Sequence, residues 1–127
     1  TDAQVDTVEN DRKIISIAKE MFDLSPSDRL KIYAANAVDY LKDCTEEYDL
    51  ILIDLFIDDA VPEFCFTESF WKSIQNICLP KCDIVFNASM KQNNLQHNLD
   101  FLGAIHLKEN LTIEQNLFFL LQPAVSK

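Results

Sequence analysis

The stretch "YDLILIDLFIDD" (Tyr48 to Asp59) places a carboxylate, Asp54, directly after the apolar run Leu50–Ile53. A short run this apolar reads as a strand buried on both faces, as in a parallel sheet. Parallel α/β sheets bind ligands just beyond the carboxyl ends of their strands. A carboxylate there can attract a cation, accept hydrogen bonds or take a proton. Glu9, Asn36 and Asn87 close three other strand-like segments, "AQVDTVEN", "RLKIYAAN" and "CDIVFN". Four acids and amides at strand ends would line one rim, suited to a small molecule rich in hydroxyls or amines.

The elements that position them follow from periodicity. "DRKIISIAKEMF" carries Ile14, Ile15, Ala18, Met21 and Phe22 at helical spacing, and "NAVDYLKDC" opens on Asn36, a natural N-cap. "ESFWKSIQNICL" is a third helix, capped by Thr67, with Pro80 expected to mark its end. Phe70 and Trp71 read as core anchors. "QNNLQHNLDFL" is expected to be a surface helix. "AIHLKE" and "NLFFLLQP" read as a terminal antiparallel pair joined by "NLTIEQ". Alternation of strand and helix predicts a single α/β domain over residues 1–127, doubly wound and mostly parallel, with an antiparallel terminal hairpin.

Composition narrows the function classes. The 127 residues are 48% apolar and 25% charged, an ordinary globular mix. A net charge of −10 argues against nucleic acid, which selects a basic face, and suits a cationic small molecule. Cys44, Cys65, Cys78 and Cys82 form no CxxC pair and are not flanked by His97 or His106, so no metal site is expected. Free thiols and the lack of a membrane-length apolar run or signal peptide point to the cytoplasm. Gly103 is the only glycine, and the chain opens on Thr1 directly before a strand, so an upstream segment is expected to be missing.

The order "VENDRKIISIAKEMF", "DRLKIYAANAVDYL", "YDLILIDLF", "FTESFWKSIQNICLPKCDIVFN" resembles the spermidine synthase family, within the class I S-adenosylmethionine-dependent methyltransferase (Rossmann-like) fold. The resemblance implies aminopropyl transfer from decarboxylated S-adenosylmethionine to an amine, in polyamine biosynthesis, with methyl transfer from S-adenosylmethionine as the alternative. It assigns Glu9 to the ribose hydroxyls, Asn36 to the adenine, where the family has a carboxylate, and Asp54 to the attacking amine. The family's second acid falls on Ile57, so the neighbouring Asp58 and Asp59 become candidate substrate ligands. The family's first strand and glycine-rich loop are absent, and Cys82 replaces a glycine. That loss implies direct pairing of the strands that begin near Gln4 and Tyr48, or a strand supplied by another molecule or by a homo-oligomer. It also leaves a non-catalytic relative as an alternative. A response-regulator receiver is a further alternative, with Glu9 and Asp11 as magnesium acids beside Asp54, although Gln122 stands where a lysine belongs.

Overall fold

A computed structural model describes residues 2–89 and 99–124. The chain divides into two compact units, Thr1–Cys44 and Thr45–Lys127.

The first unit is a strand–helix–strand–helix. Strands β1 (Val5–Glu9) and β2 (Leu30–Ala34) pair in parallel, Val5 opposite Leu30 and Glu9 opposite Ala34. Helix α1 (Arg12–Phe22) joins them. It starts where Asp11 accepts the Lys13 N–H and stops where Asp23 turns left-handed (φ 52°), with the Leu24 N–H returning to the Ala18 carbonyl. Helix α2 (Ala37–Asp43) follows β2 and lays Tyr40 against Tyr33, ring centroids 4.9 Å apart. No described residue of this unit is fully buried; Met21 and Phe22 on α1 stay about three-quarters exposed (75% and 77%).

The second unit holds the core. Its four-stranded sheet has the order β3 (Tyr48–Ile53), β4 (Cys78–Asn87), β6 (Asn116–Pro123), β5 (Ile105–Ile113). β3 and β4 are parallel, and β6 runs antiparallel to both β4 and β5. Helix α3 (Glu68–Asn76) buries Phe70, Trp71 and Ile74. Trp71 meets Phe86 of β4 edge-on at 5.2 Å, and its indole N–H donates to the Cys65 carbonyl at 2.7 Å. Trp71 and Phe70 are therefore core anchors, as expected. A 3-10 turn, Glu63–Phe66, precedes α3 with Thr67 as its cap, and a second, Asp100–Leu102, precedes β5.

Several expectations change. Pro80 does not stop α3, which ends at Asn76; it lies in β4, where the register with β3 shifts between Tyr48 and Leu50. A bulged start of this kind needs no ladder N–H from proline. The connection "NLTIEQ" is mostly strand: β5 runs to Ile113, and only Glu114 and Gln115 turn, Glu114 at φ 53°. The helix expected over "QNNLQHNLDFL" lies largely outside the described residues, and its end is the 3-10 turn at Asp100–Leu102. β1 ladders with β2 in the first unit, and β3 with β4 in the second.

With one glycine in the chain, the other left-handed positions among the described residues fall to Asp23, Asp58, Ser89 and Glu114. Short polar side chains tolerate that region best, so glutamate is the costliest of the four. Gly103 itself has φ 61° and ψ −119°, outside the range that Asp and Asn fill, so it is needed where the second 3-10 turn enters β5.

Candidate functional site

In the first unit, Glu9 and Asn36 come to one edge. Glu9 closes β1, and Asn36 lies two residues beyond Ala34, its ladder partner. The Ala35 N–H donates to the Glu9 carbonyl at 3.2 Å, locking that edge. The Glu9 side chain bends toward the start of α1, where Oε1 accepts the Asp11 N–H at 2.8 Å. Asn36 caps α2: its Oδ1 accepts the Val38 N–H at 2.8 Å. Both side chains are half-buried. Glu9 brings a carboxylate to the edge, which suits a vicinal diol. One lone pair of the Asn36 oxygen already serves the helix, which leaves the other for an adenine amino group, and its amide N–H groups are donors.

In the second unit, Asp54 follows β3 directly and is exposed. β4 ends at Asn87, one residue past the Ile53–Phe86 pair, which puts Asn87 beside Asp54. β6 is antiparallel, so its first residue, Asn116, starts at the edge where β3 and β4 finish. The three side chains meet. Asn87 Nδ2 donates to Asp54 Oδ1 at 3.1 Å and to Asn116 Oδ1 at 3.0 Å, while its Oδ1 accepts the Ser89 N–H at 3.2 Å. Asn87 is 7% exposed and Ser89 5%, so an accessible carboxylate is held from behind by a buried amide.

Asp58 and Asp59 form the tip of a tight turn between Ile57 and Ala60, whose N–H and carbonyl groups exchange bonds of 2.8 and 3.1 Å. Asp58 takes φ 54° there, a conformation aspartate tolerates. Both acids are exposed. The structure thus brings Glu9 to Asn36 in one unit and Asp54 to Asn87 in the other, and puts Asp58 and Asp59 on a separate turn. Sequence reasoning missed Asn116 as a partner. Its signal was available: an antiparallel strand that starts with a polar residue must begin at the edge where its parallel neighbours end.

Desolvation favours the protonated form of two of the thiols. Burial pushes Cys65 up to about 12, and burial, with Cys82 beside it, does the same for Cys78. Cys82, in the family's glycine position, is fully buried inside β4. Among the described residues no cluster of three or more His, Cys, Asp or Glu side chains could hold a metal ion. No helix among them is long and apolar enough to cross a membrane.

The Spermine/spermidine synthase domain family model matches residues 2–118. A human protein, eEF1A lysine and N-terminal methyltransferase, is 26% identical, with 75% of this chain and 15% of that protein aligned. The crystal structure of human methyltransferase-like protein 13 in complex with SAH superposes with a TM-score of 0.80 at 22% identity, over 97% of this chain and 61% of that one. A probable spermidine synthase from Corynebacterium glutamicum gives 0.65 at 19%, over 93% and 46%. The chain thus spans only part of the proteins it matches. These likenesses carry the fold: it is the mixed α/β fold of class I methyltransferases, as expected, and the antiparallel β6 beside β4 is foreign to the all-parallel sheet of a receiver domain.

Proposed function

The chain belongs to the spermine/spermidine synthase domain family, and from that premise we propose that the protein is an S-adenosylmethionine-dependent transferase acting on an amine nitrogen. The observation that carries this reading is Asp54, an exposed carboxylate braced by a buried amide at the carboxyl end of a parallel strand. Ligands of open α/β sheets bind at that place. An ammonium group drawn there by the carboxylate can give a proton to Asp54, which is general-base chemistry. The freed lone pair can then form the new N–C bond as the C–S bond breaks toward a neutral thioether.

The transferred group in this reading is methyl. Ile57 occupies the place of the synthases' second acid, and Asp58 and Asp59 lie at the tip of the turn between Ile57 and Ala60. The human relative named for lysine and N-terminal methylation supports the same choice. Aminopropyl transfer in polyamine biosynthesis is the second reading, favoured by the family model itself.

The residues present suit the nucleoside end of the cofactor. The Glu9 carboxylate would accept from the ribose diol, and Asn36 would meet the adenine through its amide N–H groups as well as its oxygen. The methionine end has no glycine-rich loop in this chain. When bound, the cofactor supplies an electrophilic carbon next to a sulfonium.

The test is incorporation of label from S-adenosylmethionine, and separately from its decarboxylated form, into small amines and a lysine peptide, beside calorimetry with S-adenosylhomocysteine. Methyl incorporation lost in Asp54→Asn supports the first reading, and aminopropyl incorporation the second. No incorporation together with no binding below about 1 mM, roughly −4 kcal/mol, overturns both.

A further inference from the structure

Asn87 spends every hydrogen-bonding group it has. One N–H goes to Asp54, the other to Asn116, and its oxygen takes the Ser89 N–H. Those partners fix which way the amide points. Turned over, the amide would set its oxygen against two acceptors and an N–H against the Ser89 N–H. Both asparagines sit on paired backbone: Asn87 lies opposite Phe118, and the Ala88 N–H donates to the Leu117 carbonyl at 2.8 Å.

Burial explains why both Asn87 N–H groups need acceptors, but not why one of those acceptors is an exposed carboxylate. An exposed carboxylate is already satisfied by water, so fixing its rotamer gains little stability. What the bond does accomplish is geometric. It holds one carboxylate oxygen against the end of β4 and leaves the remaining acceptor positions to a ligand.

We propose that Asn87, oriented by Asn116, is the positioning residue that presents the Asp54 carboxylate to the amine of the substrate. This rests on the reading of Asp54 as the group that meets the amine. Asn116 acts through Asn87: without its oxygen the amide loses one of its two N–H contacts, and with it part of what holds the amide in place.

The experiment uses the chain in solution with 1,4-diaminobutane as the amine probe and side-chain amide signals as the reporter. In the unaltered chain the two Asn87 amide protons resonate at low field and exchange slowly. Asp54→Ala moves one of them and Asn116→Ala the other. Diamine affinity falls about tenfold in Asn87→Ala and severalfold in Asn116→Ala, while S-adenosylhomocysteine binding is unchanged in both. Should Asn87→Ala fail to fold, Asn116→Ala, altered at a half-buried site, decides alone. Asn87 signals indifferent to Asp54→Ala, or diamine affinity indifferent to both asparagine variants, overturns the positioning role while Asp54 keeps its own. Absence of diamine binding in the unaltered chain overturns the reading of Asp54, and the positioning role with it.

Discussion

Glu9 Oε1 accepts the Asp11 N–H at 2.8 Å, and Asp11 in turn accepts the Lys13 N–H at 2.8 Å. The acid that ends β1 and the cap that starts α1 are therefore one relay, and Glu9 has a structural task beside any ligand. Glu9→Gln separates the two, because a glutamine oxygen still accepts from Asp11. The expected outcome is an unchanged melting curve and about tenfold weaker binding of S-adenosylhomocysteine by calorimetry, a neutral acceptor replacing a charged one toward the ribose. Equal affinity would remove Glu9 from the nucleoside site.

Asn36 is likewise bound to its helix through Oδ1 and the Val38 N–H. Asn36→Ala should cost about 1 kcal/mol in urea unfolding, the usual loss for an N-cap. Asn36→Asp keeps the acceptor and adds a negative charge at the start of α2, where the helix dipole welcomes it. That variant should be at least as stable as the parent and bind the nucleoside more tightly. A stability drop equal to that of alanine would show that the cap is not working.

Asp54→Asn tests the amine end. The exposed side chain keeps its shape, and its oxygen can still accept from Asn87. The unfolding midpoint should move little, while transfer to an amine should fall by about two to four orders of magnitude, the range for a lost general base. Full turnover in the variant would exclude Asp54 from proton transfer.

Much of this arrangement was legible in the residues because local physics decides it. The spacing of Ile14, Ile15, Ala18, Met21 and Phe22 predicts α1, and Asn36 and Thr67 do cap α2 and α3; the Asp11 cap of α1 emerges only in the structure. Glu9 and Asp54 stand at strand ends because the apolar runs stop there. Pairing was harder to read. Pro80 looked like a helix stop because the bulge that tolerates it exists only when β4 meets β3. Asn116 looked like the start of a strand and nothing more. Its link to Asn87 depends on β6 lying antiparallel beside β4, a contact 29 residues apart in sequence. The extent of β5 was underestimated because Glu114 turns the chain without a glycine to announce it.

The thiols predict a pH dependence of stability. Burial raises Cys65 and Cys78 from 9.0 to about 12 in the folded chain. Between those values an unfolded chain releases protons that the folded one keeps, so unfolding becomes easier as pH rises. Their contribution is complete below about pH 9 and fades progressively toward 12. Urea midpoints measured from pH 8 to pH 10.5 should fall, and Cys65→Ala should flatten the slope. At pH 8, alkylation of the fully buried Cys65 should track global unfolding, since the thiolate is the reactive form. Prompt labelling of Cys65 in the native chain would contradict its burial.

The two units should also differ in how readily they open. In the second, Trp71, Phe86, Phe119, Ile84 and Leu121 are essentially inaccessible, and β4 and β6 are paired on both sides. In the first, β1 and β2 form a two-stranded sheet among the described residues, and Ile14, Ile17, Met21 and Phe22 on α1 remain 45–77% exposed. A two-stranded sheet with so little apolar burial is marginal by itself. Amide exchange followed by mass spectrometry should therefore show β1, α1 and β2 exchanging through local opening, at least about tenfold faster than β4 and β6. S-adenosylhomocysteine should slow exchange selectively at Glu9–Lys13 and Ala35–Val38, because a ligand held there stabilises the closed form by mass action. Uniform exchange across both units would mean that Thr1–Cys44 draws its stability from the same cooperative core, and protection confined to β3 and β4 would move the nucleoside away from Glu9.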